Sequence, residues 1–341
     1  MTAIRMIQRR MFRSATVLFF LLSLFPLAKA GSAELKKISV VFHWKAQAQW
    51  AGFYMAKEKG IYERHGLDVD LMVRRGRSDP LDLLMDGRVT FATHFLSGGI
   101  GLRSAVQPVV LISQIINRSN LMLVARHSDG VNKITDLSGK AVSFWDGYYR
   151  FIFKSFFKNQ GVTNLREQPM GLTVTQFTSK QVAAASAMEY NEYNLIRNSP
   201  NVNPNDLVVF RLRDMGMDFP EDAIYTTEKL AEEQPETCRA FVKATLEGWE
   251  YARDNREESM IVIMRAIAND PDVLVTEEHQ RWMLDHILDS VFIPKELSRK
   301  LGVLSRADFD AMHKFLNDNG QLRQPVEYDD FVKFHAFEPM P

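Results

Sequence analysis

Three stretches of the chain gather side chains suited to holding a flat, polar molecule. The first runs His43-Trp44-Lys45-Ala46-Gln47-Ala48-Gln49-Trp50. Indole faces stack on planar rings, and carboxamides offer donors and acceptors together. Trp44, Gln49 and Trp50 are therefore candidate ligand contacts; the competing reading makes the two tryptophans core anchors of the helix that follows. The second stretch is Phe144-Trp145-Asp146-Gly147-Tyr148-Tyr149, with Trp145 as its candidate. The third, Ala187 to Asn194, offers Tyr190, Asn191 and Glu192. Its carboxylate can accept from an exocyclic amine while a phenol stacks; otherwise it is a polar helix start. Two smaller groups join these. His94-Phe95-Leu96-Ser97-Gly98-Gly99 exposes backbone N–H groups at a helix N-terminus, which suit an anion or an electronegative ring atom, or forms a tight turn and nothing more. Asn117-Arg118-Ser119-Asn120 sets polar side chains between two apolar runs, as a hinge would. His94 and Asn117 are the candidates there.

Catalytic signatures are sparse. The eight histidines show no metal-ligand spacing, and there is no nucleophile elbow or phosphate loop. The glycine turn is not a dinucleotide fingerprint, because Ser104 stands where its third glycine would be. Cys238 is the single cysteine and reads as a small buried hydrophobe within a helical pattern. No catalytic residue, metal or cofactor is expected. Arg74, Arg75 and Arg77 form a basic turn, either meeting an anion at a cleft rim or lying on the surface.

The candidates need elements to carry them. Lys37 to His43, Leu67 to Val73, Thr90 to Phe95 and Val109 to Ile116 read as strands, with helices over Trp50 to Lys59 and from Asp79-Pro80 to about Gly87. The rhythm repeats with strands at Leu121 to Arg126, Ala141 to Phe144, Thr173 to Phe177 and Leu207 to Leu212, and a helix at Phe151 to Asn159. Beyond Ala223 to Thr226 the chain turns helical: Val242, Leu246 and Trp249 make one stripe, and further helices fall at Met260 to Ala268, Glu277 to Leu288 and Arg306 to Asn317. This predicts an α/β protein with two mostly parallel sheets. Residues 31–123 with 224–341 form one lobe and 124–223 the other. The crossings fall near Met122 to Arg126 and Ala223 to Thr227. Ligands in such sheets bind beyond the carboxyl ends of the strands, here just after Val41, Phe95, Ile116, Phe144 and Met188.

The first 30 residues carry Arg5, Arg9, Arg10 and Arg13, then an apolar run from Ala15 to Ala28 and an Ala28-Lys29-Ala30 cleavage site. That is the build of a signal peptide, by the general or the twin-arginine route, with an uncleaved anchor as the alternative. Those 30 residues hold five of the 42 basic and none of the 42 acidic side chains. The mature chain is thus 37 basic against 42 acidic, a net of −5, which argues against a nucleic-acid partner.

Taken in order, several pieces resemble the family containing periplasmic binding proteins for thiamin pyrimidine precursors and the fungal thiamin-pyrimidine synthases. They are Trp44 with Gly52 to Gly60, then Tyr62, Gly66 to Val69, Asp136 to Lys140, Met188 to Glu192, and Phe219-Pro-Glu-Asp222 before Thr226. The resemblance implies a type II periplasmic-binding fold: two three-layer α/β lobes joined by two crossing strands, with a helical C-terminal tail. It implies a monomeric periplasmic receptor that closes on a small ligand and delivers it to an ABC permease with a cytoplasmic ATPase. By position it carries over Trp44, Tyr190, Asn191 and Glu192, and its last piece adds Asp222. The synthases' cysteine-rich motif is absent, so an enzyme of that type is the weaker expectation. A receptor that reports its ligand to a membrane-bound sensor is the other alternative.

Overall fold

The computed structural model describes residues 34–334 apart from 77, 269, 271–275 and 295–298; the expected signal peptide and Arg77 lie outside the described residues. Two five-stranded sheets organise the chain. The first contains β1 (Lys36–Phe42), β2 (Leu67–Val73), β3 (Phe91–Phe95), β4 (Val109–Gln114) and β10 (Asp222–Thr227), in the order β2-β1-β3-β10-β4. The second contains β5 (Leu121–Arg126), β6 (Ala141–Phe144), β7 (Arg166–Pro169), β8 (Ala184–Met188) and β9 (Leu207–Arg211), in the order β7-β6-β8-β5-β9. β1 runs parallel to β2 and β3, and β6 runs parallel to β7 and β8. One antiparallel strand is inserted in each sheet, β10 in the first and β5 in the second. The chain passes between sheets in residues 115–120 and again in 212–221, adjoining β5 and β10.

Each sheet is the middle of three layers because its strands alternate two apolar faces. Val40 and Phe42 of β1 face the core that holds α1 (Ala51–Glu58) and α6 (Pro235–Asp254), whereas Val41 joins the core on the other face. That opposite face is covered by α2 (Pro80–Met85), α3 (Leu96–Ser104) and α9 (Arg306–Asp318). In the second sheet, Leu123 and Phe144 face α4 (Tyr148–Asn159), while Met122 and Val124 face α5 (Glu192–Arg197). The lobes touch across the cleft: Phe95 meets Tyr149 edge-on at 4.7 Å between ring centroids, and Phe151 meets Phe315 at 5.6 Å.

One expectation is corrected here. Thr173 to Phe177 is not a strand; residues Thr175–Thr178 make a helical turn, in keeping with a polar stretch whose hydroxyls bond locally. The strand in that part of the sheet is β8, all five of its residues buried, whose small alanines give little β signal. β7 was also missed, because it is a polar edge strand ending in proline.

The tail adds α7 (Arg256–Ala268) and α8 (Glu277–Val291) beside α6. α6 approaches α1 so closely that a Cβ on Gly248 would sit 2.1 Å from the Gly52 carbonyl oxygen, and one on Gly52 would sit 2.3 Å from the Trp249 ring. Of the predicted stripe on α6, Val242 and Trp249 are fully enclosed and Leu246 is half-buried. Among the described residues no helix is long and apolar enough to cross a membrane.

Candidate functional site

The carboxyl ends of the strands of both sheets converge on one cavity, with about 310 Å³ of empty space, part of it open to solvent. From the first lobe, His43 and Trp44 follow β1, Gln47 and Gln49 lie in the loop leading to α1, and Phe95 ends β3. From the second, Trp145 follows β6 and Tyr149 opens α4; Met188 ends β8, and Tyr190, Asn191 and Glu192 lead into α5. The wall is largely aromatic and contains no lysine or arginine.

Amides orient the acids around this space. Gln47 Nε2 donates to Gln49 Oε1 at 2.5 Å, and Gln49 Nε2 donates to Asp222 Oδ2 at 2.6 Å. Glu192 accepts the Met188 N–H at 3.0 Å on one oxygen and Asn191 Nδ2 at 2.9 Å on the other. Burial pushes the Glu192 carboxyl up to about 7, against the pull of the backbone N–H groups. Burial likewise raises Asp222 to about 7, opposed by the Gln49 amide and by His94. Both carboxyls are thus poised between their acid and anion forms at neutral pH.

His43 is held neutral, its pKa driven well down by burial and then by His94. The Thr93 hydroxyl accepts the His43 backbone N–H at 3.1 Å and lies 3.0 Å from His43 Nδ1. The other ring nitrogen, Nε2, is 3.4 Å from Asp222 Oδ1, a buried oxygen that makes no hydrogen bond. The Tyr149 and Tyr190 phenols are held well above their usual pKa by burial and then by Asp222 and Glu221. The result is a wall of aromatic rings in edge-on and tilted contact, backed by acceptors, with no lysine or arginine in the lining.

Six of the ten predicted site residues line this cavity: Trp44, Gln49, Trp145, Tyr190, Asn191 and Glu192. Asp222 stands directly behind it through Gln49. The other three lie outside the lining. Trp50 stacks on Phe42 at 4.5 Å and is 1% exposed, its indole N–H donating to the Lys45 carbonyl at 2.9 Å. It is the core anchor of the first helix. His94 points away from the cleft side taken by Phe95, with Nε2 3.3 Å from Asp79 Oδ2. Asn117 belongs to the passage between the two sheets, where its N–H donates to the Ser290 carbonyl at 2.9 Å. His43, Gln47, Phe95, Tyr149 and Met188 line the cavity without having been singled out. For His43 and Phe95 the available signal was position at a strand end; for Gln47 and Tyr149 it was membership of the loops already identified. Arg74 is half-buried and Arg75 exposed, both outside the lining. Among the described residues no cluster of three or more histidine, cysteine or acidic side chains is placed to hold a metal ion.

Comparison with known proteins places this geometry. The chain is 24% identical over 310 residues to the formylaminopyrimidine-binding protein of Halalkalibacterium halodurans, covering 87% of this chain and 89% of that one. It is 19% identical over 239 residues to a 4-amino-5-hydroxymethyl-2-methylpyrimidine phosphate synthase of Legionella pneumophila, covering 70% and 76%. Its fold matches the periplasmic aliphatic sulphonate binding protein SsuA of Escherichia coli with a TM-score of 0.68 at 11% identity, over 88% of this chain and 98% of the other. The model of the family described as NMT1/THI5 like matches residues 47–259. Two α/β lobes meeting at an aromatic, acid-backed cleft therefore belong to a chain that is a member of the NMT1/THI5 like family.

Proposed function

We propose that this chain is the periplasmic solute-binding component of an ABC importer for a small amino-substituted nitrogen heterocycle of the pyrimidine class. The observation that carries the reading is the pairing of aromatic walls with buried carboxyls raised to about 7 and no cation in the lining. A planar ring sandwiched by Trp44, Trp145 and Tyr190 would offer its edge to Glu192 and Asn191. An exocyclic amine and a protonated ring nitrogen together match a carboxylate in a two-point, charge-assisted arrangement. An anionic ligand would meet acceptors instead. Similarity to a formylaminopyrimidine-binding protein supports the same class.

The mechanism is closure. A ligand touching both lobes favours the closed arrangement through its differential contacts, and the permease then reads that arrangement. Closure removes water from Glu192 and Asp222, which raises their pKa values; ligand N–H groups restore what water supplied. Binding rather than conversion is the role assigned to these acids, since each is held by amide or backbone donors.

Calorimetric titration of the mature chain with formylaminopyrimidine at pH 7 tests the reading. One-to-one binding is expected, with Trp44→Ala losing roughly tenfold to a hundredfold in affinity by removal of one stacking face, and with the ligand-free melting curve unchanged. No binding or thermal stabilisation by formylaminopyrimidine, together with stabilisation by taurine or an alkanesulfonate, would overturn it.

A further inference from the structure

We infer that His279 is a positioning residue that sets the Asn191–Glu192 edge of the cleft and latches the two lobes together from the C-terminal helix α8. The inference rests on the closed cleft being the ligand-binding arrangement. His279 is buried on α8, a helix far along the chain from every residue of the cavity wall. Its Nε2 lies 3.0 Å from Asn191 Oδ1, and its Nδ1 lies 2.9 Å from Asn194 Nδ2.

The hydrogen bonds have one consistent direction. Asn194 Oδ1 accepts from Asn198 Nδ2 at 2.6 Å, so its amide nitrogen faces His279 Nδ1 and donates. The ring proton is then on Nε2 and goes to Asn191 Oδ1. With its carbonyl engaged, Asn191 turns its amide nitrogen to Glu192 Oε1. The orientation of two cavity-lining side chains is thus set by a ring outside the cavity. Burial, which lowers the His279 pKa to about 4, keeps the ring in the neutral form this chain of bonds needs.

α8 also touches everything that closure moves. Gln280 Oε1 accepts the Ala48 N–H at 2.7 Å in the first-lobe loop. Trp282 Nε1 donates to the Glu189 carbonyl at 3.1 Å in the second lobe. At the other end Ser290 accepts the Asn117 N–H through its carbonyl and donates its hydroxyl to Asn120 Oδ1, both in the hinge passage. His279 is eleven residues from Ser290, about 16 Å along the helix at 1.5 Å per residue. A lobe rotation of about 15°, a size seen in known rigid-body transitions, would move a point at that radius by about 4 Å. The His279 bonds to the second lobe therefore exist in the closed arrangement and break on opening.

The test uses the mature chain carrying spin labels at exposed positions on the two sides of the cleft, through Arg75→Cys and Asp146→Cys with Cys238→Ala. Pulsed electron resonance reads the closed-to-open ratio without ligand, and a titration with formylaminopyrimidine follows. The short distance is expected to be populated in the parent. His279→Leu should lower the ratio about tenfold, the worth of two neutral hydrogen bonds. His279→Gln should keep it, because its carboxamide offers an acceptor and a donor at similar spacing. Asn194→Leu should reproduce the loss from the other lobe, and the double variant should add little to either. An unchanged ratio in His279→Leu, a fall in His279→Gln as large as in His279→Leu, or full additivity overturns the inference. Should the parent fail to bind formylaminopyrimidine, the proposed ligand class falls while the distance distributions still decide the role of His279.

Discussion

Replacing Glu192 by glutamine isolates the cost of a buried carboxyl in the cleft. Glu192 carries a pKa of about 7 in the fold against an ordinary 4.5. A raised acid costs the native state nothing below the unfolded pKa, and its penalty is complete above the folded one. At about 1.4 kcal/mol per pKa unit, the penalty is under about 1 kcal/mol at pH 5 and about 3 kcal/mol at pH 8. Glutamine keeps the shape and removes the titration. It also loses a hydrogen bond, because its amide nitrogen must face either the Met188 N–H or the Asn191 amide, whose flip His279 opposes. That loss is the same at both pH values and cancels. Relative to the parent, E192Q should therefore gain about 2 kcal/mol between pH 5 and pH 8, read as the difference in urea unfolding free energies of the ligand-free mature chain. A pH-independent difference, or one of opposite sign, would mean that Glu192 is not desolvated in the cleft.

Two further substitutions separate the scaffold from the site. Trp50→Ala should destabilise by about 3–5 kcal/mol, as large-to-small changes in a core do, seen as a lower urea midpoint at unchanged slope; a stable variant that has lost only ligand affinity would return Trp50 to the cleft. Gly248→Ala places a Cβ 2.1 Å from the Gly52 carbonyl oxygen, where backbone cannot yield cheaply. It should cost at least about 1–3 kcal/mol by forcing α6 off α1, and an unchanged melting temperature would refute so close a helix contact.

Most of the architecture was legible because strand periodicity and helix caps are local signals. β2, β5 and β6 fall on the expected residues, and Asp79 caps α2 as its Asp-Pro pair implies. The site was legible as far as one rule reached, that ligands sit beyond strand carboxyl ends. The failures have specific physical causes. Along β3 successive side chains alternate faces, so Phe95 enters the cleft while its neighbour His94 turns to Asp79. A residue type attractive for chemistry was thus preferred to the neighbour with the right direction. For Trp50 the sequence leaves both readings open, because a tryptophan at a helix start faces inward or outward according to the helix phase, which the loop before it does not reveal. His279 carried no local signal at all: its partners Asn191 and Asn194 are brought to it by the return of the chain through α8.

The acids explain why such a return is needed. Glu221 and Asp222 are consecutive, yet they serve different places. Glu221 accepts the Asn120 N–H at 2.7 Å, the Asn120 amide at 3.0 Å and the Ser119 hydroxyl at 3.2 Å, so it ties together the two passages between the sheets. Asp222 accepts from Gln49 in the cleft. Burial and then Asp222 together raise Glu221 to about 8, against the pull of the Asn120 and Ser119 donors. Ionising one of the pair therefore makes ionising the other harder, and burial raises both Asp222 and Glu192 to about 7. On the proposed function, a ligand bringing N–H groups to the Glu192 edge would supply donors to these acids, and it would favour the closed state in proportion to the donors it presents. If the proposed heterocycle is the ligand, its affinity depends less on the aromatic walls, which any flat ring can meet, than on how firmly Asn191 and Glu192 are aimed. That places selectivity on the α8 side of the cleft, where His279 does the aiming.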